Sequence, residues 1–109
     1  MAGYYDLKKS GAQFMFNLIA GNGEIILTSE RYEAKSGATG GISSVQTNCT
    51  TDSRYERKMS RDNQPYFVLK AANDQVIGAS EMYSSTAARD NGIQSVKTNG
   101  TTTDIRDNT

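Results

Sequence analysis

Phe16, Leu18 and Ala20 alternate with other positions along 14–20, and Phe67, Leu69 and Ala71 do the same along 66–71. A period of two puts each set on one face of a β-strand, and the aromatic and branched content suits strands. Asn17 and Lys70 fall on the opposite face, which is expected to meet water. Asn22-Gly23 and Asn73-Asp74 follow; these residue types reach positive φ at low cost and close tight hairpins. Second strands are predicted over 24–29 and 75–80. The period then changes. Ala38, Ile42 and Val45 form one helical stripe, and Ala88, Gly92, Ile93 and Val96 form its equivalent. Ser84 or Ser85 can cap the second helix. Gly37, Gly40 and Gly41 each weaken the first helix by up to ~1 kcal/mol relative to alanine, so packing must supply what propensity lacks. Gly41 and Gly92 are expected to let helix backbone approach the sheet. Asn48 and Asn99 stand where a left-handed residue commonly ends a helix. Further strands are predicted at 4–9, 55–60 and 103–107.

The two patterns are one pattern repeated. A shift of 51 positions carries Tyr4 onto Tyr55, Phe16 onto Phe67, Leu18 onto Leu69 and Asn22 onto Asn73, with no gap. The same shift carries Ile26 onto Ile77, Ser29-Glu30 onto Ser80-Glu81, Tyr32 onto Tyr83 and Gly41-Ile42 onto Gly92-Ile93. The first repeat spans about 4–51, the second about 55–102, and a closing strand occupies 103–107. One unit is near the ~40-residue size below which chains rarely fold unaided. Two units sharing a sheet solve that. The fold class predicted is α+β: two βββα repeats and a final strand, one domain over 1–109, helices lying on a common sheet.

The chemistry available is narrow. The chain has no histidine and one cysteine, Cys49, which removes the usual zinc sites and the histidine-dependent nucleophile systems. No cofactor is implied. Twelve basic residues balance twelve acidic ones, so the cationic surplus that drives non-specific nucleic-acid binding is missing. The apolar share of 36% permits only a modest core. No run approaches the ~20 apolar residues a bilayer requires. Residues 1–6 hold no cationic segment followed by an apolar one, so no secretory leader is expected and the chain is placed in the cytoplasm, away from membranes.

This arrangement resembles the YegP-like family, bacterial proteins of unknown function built from such units singly or in tandem. The residues carrying the resemblance are Leu69 to Asn73, Ile77, Ser80 to Tyr83 and Asn91 to Lys97, repeated as Ala20 to Glu24, Ser29 to Tyr32 and Gly41 to Val45. Ile19 and Asp74 depart from it. The resemblance implies a single antiparallel-type sheet in which each unit's closing strand pairs with the other unit, so that a monomer mimics a dimer of single units. It implies no activity.

Three function classes fit these residues. A non-catalytic protein-interaction or binding module leads, because catalytic constellations are missing and the architecture is duplicated. Its candidate residues are Ser29, Glu30 and Tyr32 with Ser80, Glu81 and Tyr83, a polar trio recurring in both halves; Tyr is expected in the core with its hydroxyl tied off. The second reading is nucleic-acid binding by Lys8, Lys9, Arg54, Arg57, Lys58 and Arg61 with Tyr4, Tyr5 and Tyr55, provided the first strands lie side by side. Asp6, Asp52, Glu56 and Asp62 among them argue against it. The third is an enzyme using a Glu and Tyr of the trio as acid and base. Cys49 lacks an activating neighbour and is read as incidental.

Overall fold

The alternating segments form strands and the 3.6-period segments form helices in a computed structural model that describes residues 3–109. Met1 and Ala2, where the leader reading begins, lie outside the described residues. In chain order the elements are β1 (Tyr4–Ser10), β2 (Gln13–Ile19), β3 (Ile25–Ser29), α1 (Lys35–Asn48), a 3₁₀ turn (Asp52–Arg54), β4 (Tyr55–Met59), β5 (Pro65–Lys70), β6 (Val76–Ala79), α2 (Thr86–Asn99) and β7 (Ile105–Asn108). The strands form one sheet in the order β4-β5-β6-β3-β2-β1-β7. The halves join at its centre, where β3 and β6 run antiparallel with Thr28 opposite Ala79. The first six strands are antiparallel, but β7 lies parallel to β1, so the sheet is mixed and not wholly antiparallel. The closing strand of the second half thus completes the edge of the first, as expected.

The halves do not superimpose without a gap. Tyr5 stands opposite Leu18 and Tyr55 opposite Leu69, so Tyr5, not Tyr4, is the counterpart of Tyr55. The difference arises in the hairpin loops. Ser10 pairs with Gln13 around Gly11, whose φ is +63°. The second loop runs from Ser60 to Gln64, with Asn63 at φ +60°, and holds one residue more. The predicted tight turns do form: Gly23 and Asp74 sit at φ +86° and +67°. Asn22 and Asn73 brace them by accepting from the backbone N–H two residues on, each at 3.1 Å.

The core is common to both halves. Tyr5 packs edge-on against Phe16 and Tyr55 against Phe67, both with ring centres 5.7 Å apart. Their hydroxyls cross over. Tyr5 donates to the carbonyl of Gly100 and Tyr55 to that of Cys49, each at 2.6 Å. Each half's first strand therefore satisfies a carbonyl at the helix end of the other half, one of the groups a helix leaves unpaired. Asn48 and Asn99 do not end the helices in left-handed conformation; Cys49 and Gly100 continue right-handed at φ −65° and −67°. The asparagine amides donate back to Ser44 and Ser95 carbonyls at 2.8 Å, and Asn99 accepts from the Gly3 N–H at 3.1 Å. Ser85, of the two capping candidates, accepts from the Ala88 N–H at 3.1 Å.

Cys49 is more than incidental to the packing. A Cβ on Gly100 would lie 2.7 Å from the Cys49 sulfur, so the two helix ends meet with room for one side chain between them. Gly100→Ala is expected to lower stability by about 1–3 kcal/mol through overpacking. Adding Cys49→Gly should recover part of that loss in a urea double-mutant cycle. A neutral Gly100→Ala would contradict the close meeting. Asn17, expected to face water, is 4% exposed. It lies mid-sheet, opposite Asp6 on β1 and Thr28 on β3.

Candidate functional site

The serines of the recurring trio are structural. At the ends of β3 and β6, Ser29 and Ser80 are buried and accept from the Phe16 and Phe67 N–H groups at 2.9 and 3.0 Å. Each donates in turn to the carbonyl of the next residue, Glu30 or Glu81, at 2.7 and 2.8 Å. One hydroxyl thereby replaces the ladder partner that β2 or β5 loses where the third strand ends. Ser29→Ala or Ser80→Ala should cost about 1–3 kcal/mol by orphaning a buried N–H. Glu30→Gln and Glu81→Gln should stay within about 0.5 kcal/mol, because both side chains are exposed and form no hydrogen bond or ion pair among the described residues. Chemical denaturation of the four variants would separate the two roles.

The tyrosines differ from expectation. Tyr32 exchanges both backbone hydrogen bonds with Phe14 at 2.8 Å; Tyr83 donates to the Pro65 carbonyl at 2.8 Å, and proline returns none. These bonds carry each ring under a helix. A Cβ on Gly41 would lie 2.4 Å from the Tyr32 hydroxyl, and one on Gly92 2.3 Å from the Tyr83 hydroxyl. The two helix glycines therefore admit tyrosine rings, not sheet backbone. The Tyr83 ring stacks on Phe67 at 6.4 Å. Both tyrosines are half-buried, and neither hydroxyl is tied off: no hydrogen bond to it exists among the described residues. Burial, then the nearby carboxylates, push their pKa values up: Glu30 acts on Tyr32, and Glu81 and Glu24 act on Tyr83.

Around each tyrosine lies a groove made by both halves. The first, about 430 Å³, has Tyr32, Glu30 and Ser44 on one wall and the turn residues Asn73 and Gln75 with Val76 of β6 on the other. Its counterpart, about 280 Å³, has Tyr83, Asn91 and Ser95 facing Asn22, Glu24 and Ile26. It continues into a hollow of about 420 Å³ bounded by Glu81, Gly23 and Ile25. Glu30, Tyr32, Glu81 and Tyr83 are legible in the sequence as candidates, whereas Asn22 and Asn73 read there as turn residues alone. The signal available was that both motifs recur at the same shift; only the antiparallel β3–β6 joint brings one half's turn opposite the other half's tyrosine.

The nucleic-acid stripe is not assembled. β1 and β4 lie at opposite sides of the sheet, separated by four strands, and Tyr5 and Tyr55 are buried. Arg57 is paired with Asp52 and Asp90, and Lys58 with Glu56. The cause is the joint: pairing through β3 and β6 sends the first strands outward. No group of three or more His, Cys, Asp or Glu side chains among the described residues is placed to hold a metal ion. Among them, no helix is long and apolar enough to cross a membrane.

The fold and grooves define a class: tandem α+β repeat proteins whose two units share one mixed sheet and repeat the same cleft. A family model described as a domain of unknown function, DUF1508, matches twice, over residues 10–56 and 60–107. The chain belongs to this family. It is 61% identical over 108 residues to a UPF0339 protein of Shewanella oneidensis, covering 98% of each chain. It is 52% identical over 110 residues to the UPF0339 protein YegP of Escherichia coli K12, covering 100% of each. Its fold matches the solution NMR structure of the Shewanella oneidensis UPF0339 protein with a TM-score of 0.92 at 61% identity, covering 98% of this chain and 92% of that one. It matches the NMR structure of Escherichia coli yegP, a protein of unknown function, with a TM-score of 0.93 at 51% identity, covering 99% and 94%. These descriptions indicate no specific activity.

Proposed function

We propose that the protein is a non-catalytic protein-interaction module, working as a monomer in the cytoplasm, that holds partner segments in its two equivalent grooves. The observation carrying this reading is the duplication of the whole cleft, with Glu30, Tyr32 and Ser44 opposite Asn73 in one and Glu81, Tyr83 and Ser95 opposite Asn22 in the other. A binding site built twice can engage two segments of one partner, which raises avidity without new contacts. The open tyrosine hydroxyls offer donors and acceptors at the wall of each cleft. Their raised pKa values run opposite to the activation a nucleophile needs, as does that of Cys49, pushed up by burial. A reducing cytoplasm suits a buried free thiol. The two-unit chain already supplies the pairing that single units would obtain by dimerising.

Photo-crosslinking in the native cell tests this. A benzophenone amino acid at Ser44 or Ser95 should capture the same discrete protein adduct. At the exposed helix position Thr39, outside both grooves, it should not. Equal adduct patterns at all three positions, or none at the groove positions, would refute the proposal.

A further inference from the structure

We infer that the Tyr83 groove receives a lysine or arginine side chain of a partner protein, whereas the Tyr32 groove, with one carboxylate fewer, is the less acidic counterpart. This rests on the binding-module reading and deepens it. Glu24 and Glu81 border the same 420 Å³ hollow as the Tyr83 ring. Among the described residues neither carboxylate forms an ion pair, although eight ion pairs occur elsewhere among them. Among the described residues, no lysine or arginine lines these three hollows. The same hollow has an apolar lining: Ile25, 39% exposed, and Ile26. An aromatic face, two uncompensated carboxylates and an apolar wall together match a side chain with a methylene stem and a cationic head. Such side chains lay the stem on apolar surface and keep the charge beside acceptors, and a cation near a tyrosine ring gains further attraction.

The two grooves differ where this matters. At the position of Glu24 the other half has Gln75, so the Tyr32 groove keeps one carboxylate, Glu30, and an amide. Duplication preserved the cleft, and the substitution altered its charge. A partner carrying one basic and one neutral polar position would then be oriented by the pair of grooves.

The test is a ¹H–¹⁵N NMR titration of the intact protein with the blocked peptide acetyl-Gly-Lys-Gly-amide and with the same peptide carrying norleucine. The lysine peptide should shift amides of Gly23 to Ile26 and of Tyr83 with saturation in the millimolar range, while norleucine should not. Glu24→Gln with Glu81→Gln should weaken binding by about fivefold, the scale of exposed charge pairs, and 1 M salt should have a similar effect. Equal response to both peptides, equal binding at the Tyr32 groove, or no shift at Gly23 to Ile26 would overturn the inference. If the peptide fails while crosslinks at Ser44 and Ser95 persist, the cationic assignment falls and the binding module stands.

Discussion

Phe16→Ala or Phe67→Ala is expected to cost about 3–5 kcal/mol and to weaken both halves together. Each ring is fully buried. Phe16 touches Tyr5, and Phe67 touches Tyr55 and Tyr83. Because Tyr5 holds the second helix's end and Tyr55 the first's, slack around either phenylalanine reaches the opposite half. A small domain has only about 5–15 kcal/mol in total, so either change removes a large share. Urea unfolding followed separately by amides of β2 and of β5 should give coincident transitions, the mark of one cooperative unit. Selective melting of the half that carries the substitution would show two cores instead of one.

Alkaline pH should unfold the protein more steeply than a surface of ordinary tyrosines allows. Tyr5 and Tyr55 are buried, and both pKa values are pushed far above the usual 10.0, chiefly by desolvation and next by the neighbouring Cys49 thiol. In the unfolded chain these phenols lose their protons above pH 10; in the folded chain they keep them. The unfolded state then binds fewer protons, so stability is intact below pH 10 and falls as pH rises past it. The slope is about 1.4 kcal/mol per pH unit for each tyrosine. Cys49, also raised by burial, loses stability in the same direction from nearer its ordinary value of 9.0. Urea midpoints measured from pH 8 to 11.5 should drop steeply, and Tyr5→Phe should make the fall above pH 10 shallower by about 1.4 kcal/mol per pH unit. It should also cost about 1–3 kcal/mol at neutral pH by leaving the Gly100 carbonyl without its donor. A flat profile to pH 11.5 would show that neither phenol is held in its neutral form.

Much of this molecule is written locally. Alternation of Phe16, Leu18 and Ala20 marks β2, the stripe Ala38, Ile42 and Val45 marks α1, and the turn at Asn22-Gly23 marks the joint between strands, since each depends only on side chains a few residues apart. Asn48 shows the limit of local reading. Its type suits a left-handed helix end, yet it stays helical and Cys49 after it stays right-handed, with Tyr55 of the other half donating to the Cys49 carbonyl. The equivalence of Tyr4 and Tyr55 failed similarly: a one-residue loop difference is invisible to identity matching, while strand register exposes it. The trio was visible as a repeat, but its division into a structural serine, an exposed glutamate and an open tyrosine depended on where β3 ends.

The sequence by itself determined the element types, the duplication, the α+β class and the poverty of catalytic side chains, because periodicity, turn chemistry and composition are properties of neighbouring residues. The tertiary structure alone decided that β3 and β6 form the joint, that β7 enters parallel, that Tyr5 and Tyr55 serve opposite helices, and that each tyrosine faces the other half's turn. Those choices depend on which surfaces can be buried together at long range, and no short window of residues records that.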